Sequence, residues 1–427
     1  MLALLLGAAA TTAAEASSVA AESMPAATTV VGAIRWDAYF SQPGEAAFSD
    51  QNFGIVTRTT TFDLSPKEWH YRVPFFGKEV NDTAIIANGN HPDVMAQELD
   101  FAQKNGIQFW AFCNYPIGCM DSHPASCPGI QCCADNVGLS YAWNLYQNHP
   151  GRHKVNFTLL LQPGYWFHGQ ESGSNETWPQ ELARYVSYFR KPNYQTVHLP
   201  GQAPRPLVFT FGHISNLTGG YVQELRAAAK AAIGVEPYVV AMNGKIFPGV
   251  DAVSAYGGGN AALPNPNGPN GSDYETTLAK PEVASWEKRA AGGLKQIPTV
   301  TAGHDHRPRT AYNMPWGSNV SACIKMRGGT PKARAVCTGW VQDPTMAQLE
   351  EHVTEGLKFV ATHPASAEAN MLLLSAWNEH DEGHWIAPAL EQHGGDEKLV
   401  AIKKAIDQAE ARRMDYWNRV GGGQDLV

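Results

Sequence analysis

Short, continuously apolar runs recur along this chain and are separated by longer segments with helical periodicity. Eight such runs predict strands, because continuously apolar strands are typical of a parallel sheet that helices cover on both faces. The predicted strands are 30–36, 107–113, 156–162, 206–211, 237–242, 250–256, 297–302 and 371–377. The predicted helices are 92–104, 137–147, 179–189, 221–233, 282–293, 346–361 and about 398–412.

This alternation predicts an α/β fold, namely a single (β/α)8 TIM barrel with long, disulfide-stapled loops after its strands. An open doubly wound sheet has the same local pattern. The closed barrel is preferred because eight units in 427 residues match it and no glycine-rich nucleotide fingerprint follows the first strand. The chain then divides into a signal-like segment with a disordered lead-in (1–29), the barrel (30–412) and a C-terminal tail (413–427).

Charge and composition narrow the class of partner. A net charge of −8 gives no electrostatic reason to bind nucleic acid or an anionic membrane. No apolar stretch is long enough to span a bilayer. The 12 tryptophans and 15 tyrosines fit a site that stacks on sugar rings, so we expect a polysaccharide or glycan as substrate. A monomer is expected, because a barrel needs no partner to close its core.

Several features predict a secreted glycoprotein. The first residues resemble a signal peptide, although no basic residue precedes the apolar run. Six Asn-x-Ser/Thr sequons follow, and we predict glycosylation at Asn81, Asn175, Asn216, Asn270 and Asn319. The sixth, Asn156, begins a predicted strand and is expected to stay unmodified.

The seven cysteines fit the same oxidising compartment. Three disulfides are predicted, two among Cys119, Cys127, Cys132 and Cys133 and one between Cys323 and Cys337. Pairing among the first four stays open between three arrangements. Cys113 lies in an apolar strand and is predicted to be a buried free thiol. A thiol-metal cluster is the alternative, but the spacings fit no zinc pattern.

The C-terminal ends of the strands are where an α/β barrel places its active site. Polar and aromatic residues concentrate there and predict a sugar-binding funnel. The predicted substrate-binding residues are Trp36, Asp37, Asn114, Tyr115, Gln162, Tyr165, Trp166, Tyr256, His304, Asp305, Arg307, Arg309, Trp377, Asn378, His380 and Trp385.

Some of these residues have a second interpretation. Trp36 and Tyr256 could equally pack in the core, and Arg307 and Arg309 could bind an acidic sugar or pair with acidic loop residues. The group around His304, His306 and His380 could ligate a metal. No His-Glu-x-x-His spacing is present, so we predict no metal and no cofactor.

Glu379 and Glu382 are the predicted catalytic residues. They directly follow the last apolar strand and stand three residues apart. A helical turn there would place their β-carbons about 5–6 Å apart on one face. Retaining glycosidases hold their two carboxyl groups roughly 5–5.5 Å apart, whereas inverting enzymes need a wider gap. The spacing therefore favours retention, while the alternative is a pair of solvated loop residues.

The run Trp377-Asn-Glu379-His-Asp-Glu382-Gly resembles glycoside hydrolase family 99, the endo-α-mannosidases. Weaker likeness covers 188–211, 250–252 and 303–309. The resemblance implies that Glu379 is a base that deprotonates the 2-hydroxyl of the sugar and that Glu382 is the acid/base. His380-Asp381 stands in place of Trp-His, and His384-Trp385-Ile-Ala387 in place of Thr-x-Ile-Glu, which affects the expected mannose specificity.

Together these observations predict a secreted, retaining glycoside hydrolase. It would act internally on an α-linked polysaccharide or N-glycan, with an α-mannan-like substrate favoured. The alternatives are a non-catalytic glycan-binding barrel, a family-99-like glycosyltransferase and a metal-dependent hydrolase.

Overall fold

A curled parallel sheet forms the centre of the molecule. The computed structural model describes residues 28–37, 39, 63–89, 91–114, 141–161, 178–211, 220–242, 246–257, 271–310 and 339–421. The main parallel strands are β1 (Val30–Arg35), β4 (Phe109–Asn114), β5 (Asn156–Leu161), β7 (Arg205–Phe211), β8 (Tyr238–Met242), β9 (Ala252–Val253), β10 (Thr299–Thr301) and β11 (Met371–Ser375). They run in the order β10-β11-β1-β4-β5-β7-β8-β9, and each overlaps one predicted strand. The short strand β6 (Thr196–Val197) pairs antiparallel with β7.

Backbone hydrogen bonds also join the two ends of this sheet. The amide of Val253 donates to the carbonyl of Lys295 at 3.0 Å, and the amide of Ile297 donates back to Val253 at 2.9 Å. The hydroxyls of Ser254 and Thr299 lie 2.8 Å apart at the same junction. The predicted α/β class is confirmed, and the eight curled strands are consistent with the predicted (β/α)8 fold.

Helices cover the outside of the sheet. They are α1 (Pro92–Lys104), α2 (Tyr141–Asn148), α3 (Trp178–Phe189), α4 (Gly220–Ile233), α5 (Lys280–Ala291), the short α6 (Arg307–Thr310), α7 (Met346–Thr362) and α8 (Glu397–Gly421). The last helix continues past its predicted end near residue 412, because neither glycine nor proline occurs from there to Gly421. No helix in the described part of the chain is long and apolar enough to cross a membrane.

An inserted segment, residues 63–89, packs against the chain that follows the last strand. No element was predicted from the sequence in this segment. It contains a 3-10 turn (Lys67–Arg72) and the antiparallel hairpin of β2 (Gly77–Asn81) and β3 (Ala84–Ala87). The amide of Phe75 donates to the carbonyl of Pro388 at 2.9 Å, and that of Leu390 donates to Val73 at 3.0 Å. The segment therefore lies at the C-terminal ends of the parallel strands.

Two apolar layers hold the strands. One fills the concave side of the sheet with Ile34, Phe109, Leu160, Phe209 and Val240, and the other lies between sheet and helices. Gly32 is needed on the inner side, because a β-carbon there would approach the Phe109 ring to 2.2 Å. This packing fixes the strand ends from which the site residues project.

The opposite, N-terminal end of the strands carries a polar cluster. Asp251 accepts hydrogen bonds from Arg205 at 2.8 and 3.0 Å and from the amide of Val239 at 2.8 Å, and Arg226 also pairs with it. This cluster joins β7, α4 and β8, and two of its residues, Arg205 and Asp251, lie in the segments 188–211 and 250–252. Its place at the N-terminal end of the strands suits a structural role.

Candidate active site

The two glutamates lie on a tight hairpin at the C-terminal end of β11. Strands β12 (Asn378–Glu379) and β13 (His384–Trp385) pair antiparallel, with Glu379 opposite His384. A 3-10 turn (His380–Glu382) joins them, and Gly383 closes it with a φ of 76°, where glycine carries little steric cost. The predicted helical turn is thus the tighter 3-10 form.

The carboxyl groups of Glu379 and Glu382 face each other closely. One oxygen of each carboxylate, together with one ring nitrogen of His384, forms a group whose atoms all lie within 4.8 Å of one another. Glu379 is 1% exposed and Glu382 is half-buried. The separation of these two oxygens is shorter than the gap of about 6.5–9.5 Å between the carboxyl groups of inverting glycosidases and close to the roughly 5–5.5 Å of retaining ones.

Glu379 is held by a tyrosine from a neighbouring strand end. The Tyr256 hydroxyl donates to Glu379 Oε1. Cys113, at the end of β4, is a free thiol beside this pair. Burial, and then the nearby charge of Glu379, raise the pKa of Cys113 well above its usual value, while a hydrogen bond with Tyr256 opposes them. The thiol therefore stays protonated and uncharged.

Histidines surround Glu382. His384 Nε2 lies 2.9 Å from Glu382 Oε2, and His306 Nδ1 lies 3.7 Å from the same oxygen. The ring of His304 contacts that of His306 at 4.5 Å between centroids. Burial, and then the neighbouring His384, lower the pKa of His304 to about 4, so its ring is neutral. The backbone of Glu382 is also fixed, because its carbonyl accepts from the amide of Asp305 at 2.8 Å.

A buried polar network supports the hairpin from behind. Asn378 Oδ1 accepts from the amide of Trp36 at 2.9 Å, and Asn378 Nδ2 donates to Asp37 at 3.0 Å. Arg35 donates to Asp37 at 2.8 Å. Burial raises the pKa of Asp37 to about 6, against the lowering effect of Arg35. The predicted substrate residues Asp37 and Asn378 therefore orient β12 from within the protein.

The same network extends through Arg35 to the outer helices. Arg35 donates at 2.8 Å to Glu98 of α1, and Glu98 accepts from the Trp377 indole at 2.8 Å. Trp377 is fully buried and Trp36 is 6% exposed. The structure places Trp377, predicted to bind substrate, in the core between sheet and helices, where it packs against protein.

His380 and Trp385 belong to the hairpin, and their side chains pack against each other. Their rings stack at 5.5 Å with 24° between planes, and Tyr39 meets His380 edge-on at 5.9 Å. Burial lowers the pKa of His380 to about 3. Trp385 is 4% exposed, with Lys398 Nζ 3.3 Å from the ring centroid. Both predicted substrate residues are enclosed by protein.

Asp305 anchors the inserted segment to the site. It is fully buried and pairs with Arg72 from the 3-10 turn and with Arg307, which donates at 2.8 and 2.9 Å. Burial would raise the pKa of Asp305, but Arg307 and Arg72 more than offset this and hold it below its usual value. Of the two interpretations of Arg307, the structure shows pairing with an acidic neighbour, and the guanidinium also lies 3.3 Å from the Trp340 ring centroid.

The structure does not describe every predicted residue. Asn114 is buried at the end of β4, where its side-chain oxygen lies 3.4 Å from Arg184. Outside the described residues lie Tyr115, Gln162, Tyr165, Trp166, the side chain of Arg309, the six cysteines of the predicted disulfides and the sequons at Asn175, Asn216, Asn270 and Asn319.

Arg72 and Ser375 were not predicted as site residues, Cys113 was predicted only as a buried free thiol, and His384 was considered only as one member of a possible metal group. His384 stands two residues after Glu382, so the sequence did contain a signal that the two side chains could meet. Arg72 had none, because it lies in the 3-10 turn of the inserted segment, far along the chain from the residues it contacts.

Among the described residues, Glu379, Glu382 and His384 are the group of side chains placed closely enough to hold a metal ion. Carboxylate and imidazole are suitable ligands for zinc and other transition metals. The same side chains take part in hydrogen bonds within the protein, Glu379 with Tyr256 and Glu382 with His384. The group can therefore serve either as a metal site or as a pair of carboxylates with separate hydrogen-bond partners.

The sequence matches no protein-family model, and no curated protein matches it significantly. Solved structures do share its fold. A protein described as glycoside hydrolase-like is 15% identical, with a TM-score of 0.50 over 89% of this chain and 94% of that one. A glycoside hydrolase family 99 endo-α-mannosidase from Bacteroides thetaiotaomicron is 13% identical, with a TM-score of 0.50 over 90% of this chain and 98% of that one.

Proposed function

We propose that this protein is a retaining glycoside hydrolase whose catalytic residues are Glu379 and Glu382. The observation that carries the proposal is the carboxylate pair itself, with oxygens within 4.8 Å at the C-terminal end of the sheet. The shared fold with an endo-α-mannosidase agrees with this assignment. The different surroundings of the two glutamates suit two different roles, since one is buried beside a tyrosine and the other is half-buried among histidines.

In the mechanism that the family resemblance implies, Glu379 takes the proton of the sugar 2-hydroxyl. The freed oxygen attacks the anomeric carbon, the glycosidic bond breaks, and Glu382 gives its proton to the departing oxygen. Glu382 then takes a proton from water, which opens the anhydro-sugar at the anomeric carbon, and Glu379 returns its proton to the 2-oxygen. Two inversions give net retention.

The proposed substrate is an α-linked polysaccharide or an N-glycan cleaved internally, with α-mannan the first to test. This choice follows the Trp-Asn-Glu-x-x-Glu-Gly run and the fold. His384 and Ala387 stand at positions where the family motif has other residues, so neighbouring α-linked glycans belong in the same test. We further propose that the protein is a secreted, glycosylated monomer.

The test is a panel of α-mannans, α-glucans, high-mannose N-glycans and sulfated polysaccharides, with products measured by mass spectrometry. We expect the wild type to release oligosaccharides from one member, with the anomeric configuration retained when followed by proton NMR. Glu379→Gln and Glu382→Gln should each lower kcat by at least about 100-fold, because each loses a proton-transfer group. Glu351→Gln, an exposed position on α7, is the matched control and should be fully active.

The same panel separates hydrolysis from glycan binding alone. If the wild type releases nothing but binds a panel member in calorimetry, the protein is a glycan-binding barrel. Full activity of both glutamine variants would contradict the assignment of the catalytic pair. Heat released on titration with nucleotide sugars would instead favour glycosyl transfer.

A further inference from the structure

We propose that His384 is a positioning residue that decides which oxygen of Glu382 exchanges the proton during catalysis. The proposal rests on the function proposed above and goes beyond it, because the family motif has threonine at this position. Three observations support it: the contact between the two side chains, the hydrogen-bond chain at the other nitrogen of the ring, and the packing that holds the ring.

The contact between His384 and Glu382 is short, and the two side chains differ in exposure. His384 Nε2 lies 2.9 Å from Glu382 Oε2, and the His384 side chain is 1% exposed while that of Glu382 is 17% exposed. The ring is therefore enclosed by protein, and the carboxyl group is the more exposed of the two. Because β12 and β13 pair with Glu379 opposite His384, the same short hairpin sets both carboxylates relative to the ring.

A chain of hydrogen bonds favours one tautomer of the ring. The amide of Gly257 donates to Ser375 Oγ at 2.9 Å, and Ser375 Oγ lies 3.4 Å from His384 Nδ1. The Ser375 hydroxyl keeps its own proton to donate to Nδ1, and an ionised Glu382 can only accept. In the proposed arrangement the ring therefore accepts at Nδ1 and donates from Nε2 to Glu382 Oε2.

Neighbouring elements hold the ring in this orientation. A β-carbon on Gly257 would lie 3.2 Å from the ring, so the loop after β9 already packs against it. The Tyr256 ring meets it edge-on at 6.0 Å, with 83° between planes. Tyr256 also donates to Glu379, so one loop supports both catalytic carboxylates.

The chemical consequence concerns the two oxygens of Glu382. With Oε2 occupied by the His384 proton, Oε1 is the oxygen that carries the proton to the departing group and later removes one from water. Donation from Nε2 also stabilises the negative charge that Glu382 acquires as it gives its proton away. Removing the donor should therefore slow bond cleavage most when the departing group needs protonation.

The kinetic test compares two substitutions. His384→Leu removes the donor at similar size, whereas His384→Gln keeps an N–H group near the position of Nε2. On yeast α-mannan we expect His384→Leu to lower kcat about 10- to 100-fold with KM little changed, and His384→Gln to stay within about 10-fold of wild type. On α-mannobiosyl fluoride, whose leaving group needs little protonation, both variants should approach wild-type rates.

His198→Leu, at an exposed position, is the control for substitution of a histidine. Equal losses on mannan and on the fluoride would overturn the proposal, since a merely structural role slows both. Full activity of His384→Leu on mannan would overturn it as well. An inactive wild type would count against the proposed function instead.

A second measurement needs no activity. In full-length protein labelled with ¹⁵N-histidine, comparison with His384→Gln identifies the His384 ring signals. We expect a neutral ring protonated at Nε2 and unprotonated at Nδ1. A ring protonated at Nδ1 alone, or one averaging between the two forms, would overturn the inferred donation to Glu382.

Discussion

At the residue scale, the two proposed catalytic carboxylates differ by their partners. Glu379 accepts from a tyrosine hydroxyl inside the protein, and the half-buried Glu382 contacts an imidazole. A hydrogen bond to a carboxylate favours its charged form, and burial opposes it. The two chemically identical groups therefore have different surroundings, which suit the proposed roles of base for Glu379 and acid for Glu382.

We expect Tyr256→Phe to impair Glu379 without unfolding the protein. The substitution removes only the hydroxyl that donates to Glu379 Oε1, and the ring keeps its contact with Phe211 at 5.2 Å. The rate should fall about 10-fold or more. The acidic limb of the pH profile should move to higher pH, because the base loses a donor that stabilises its charged form.

A pH profile of kcat/KM for the wild type and Tyr256→Phe checks this expectation. Tyr238→Phe is a suitable control, because that hydroxyl bonds Glu368 instead of a catalytic residue. An unchanged acidic limb in Tyr256→Phe would show that the hydroxyl does not support the base.

The sequence predicted part of this site at the residue scale. Glu379 and Glu382 were found because both follow an apolar strand at a strand end, which is a local pattern. Trp377 and His380 were predicted to contact substrate but are buried, because aromatic residues near a site and aromatic residues in a core look alike in one sequence. Arg72 could not be predicted, since its contact with Asp305 depends on how a loop folds back.

At the element scale, a buried polar group joins α5, β10 and α7. Glu282 accepts from the Thr301 amide at 3.0 Å, and His352 Nε2 lies 3.4 Å from it. Tyr274 donates to the Thr301 carbonyl at 2.7 Å and lies 2.8 Å from His352 Nδ1. Burial raises the pKa of Glu282 to about 8 and lowers the pKa of His352 to about 3, so both are neutral at pH 7.

This pair predicts a specific dependence of stability on pH. The folded state keeps a proton on Glu282 that the unfolded state loses above its ordinary pKa of 4.5, so this stabilisation is full below pH 4.5 and is lost as pH rises to about 8. His352 acts in the opposite sense between about pH 3 and 6.5. The two effects on stability oppose each other up to pH 6.5. Between pH 6.5 and 8 the loss of stability due to Glu282 should be measurable by itself.

Urea unfolding of the wild type and Glu282→Gln from pH 5 to 8 tests this. Glutamine resembles the neutral acid and does not titrate. As pH rises, the free energy of unfolding of Glu282→Gln relative to that of the wild type should increase by up to about 1 kcal/mol per pH unit. Glu351→Gln, an exposed change on α7, should show no such trend. A constant difference between Glu282→Gln and wild type would contradict a neutral Glu282.

At the scale of the whole molecule, the alternation of strands and helices was predictable from the sequence, whereas the segments that depart from it were not. All eight parallel strands were placed from sequence, because buried parallel strands are continuously apolar. The inserted hairpin β2–β3 was missed, since its exposed strand is polar and interrupted by charged residues. Strand β9 was predicted longer than its two residues, because it extends as irregular chain that still bonds its neighbours.

Glycosylation is the property of the whole molecule that is simplest to test. Asn81 is exposed, and its side-chain oxygen accepts from Thr83 of its own sequon at 2.9 Å. Asn156 is half-buried and donates to Gln195 at 3.1 Å, so its amide is occupied. We expect glycan at Asn81 and none at Asn156 when the chain is expressed in eukaryotic secretory cells.

Mass spectrometry of peptides after enzymatic glycan release would measure this site by site. Asn81→Gln should remove one glycan and leave activity unchanged, because the site lies on the hairpin away from both glutamates. Retention of the protein inside the cell, with no glycan at any sequon, would contradict the proposed secretion.

The position of β11 in the sheet has a consequence for how the protein is made. Of the main parallel strands, β1 is synthesised first and β11 last, yet the two are partners in the sheet, with β11 between β10 and β1. A ribosome must therefore deliver all the other main strands before β1 gains one of its two neighbours. The hairpin with Glu379 and Glu382 emerges immediately after β11. A nascent chain therefore lacks both proposed catalytic carboxylates until the last main strand of its sheet has been made.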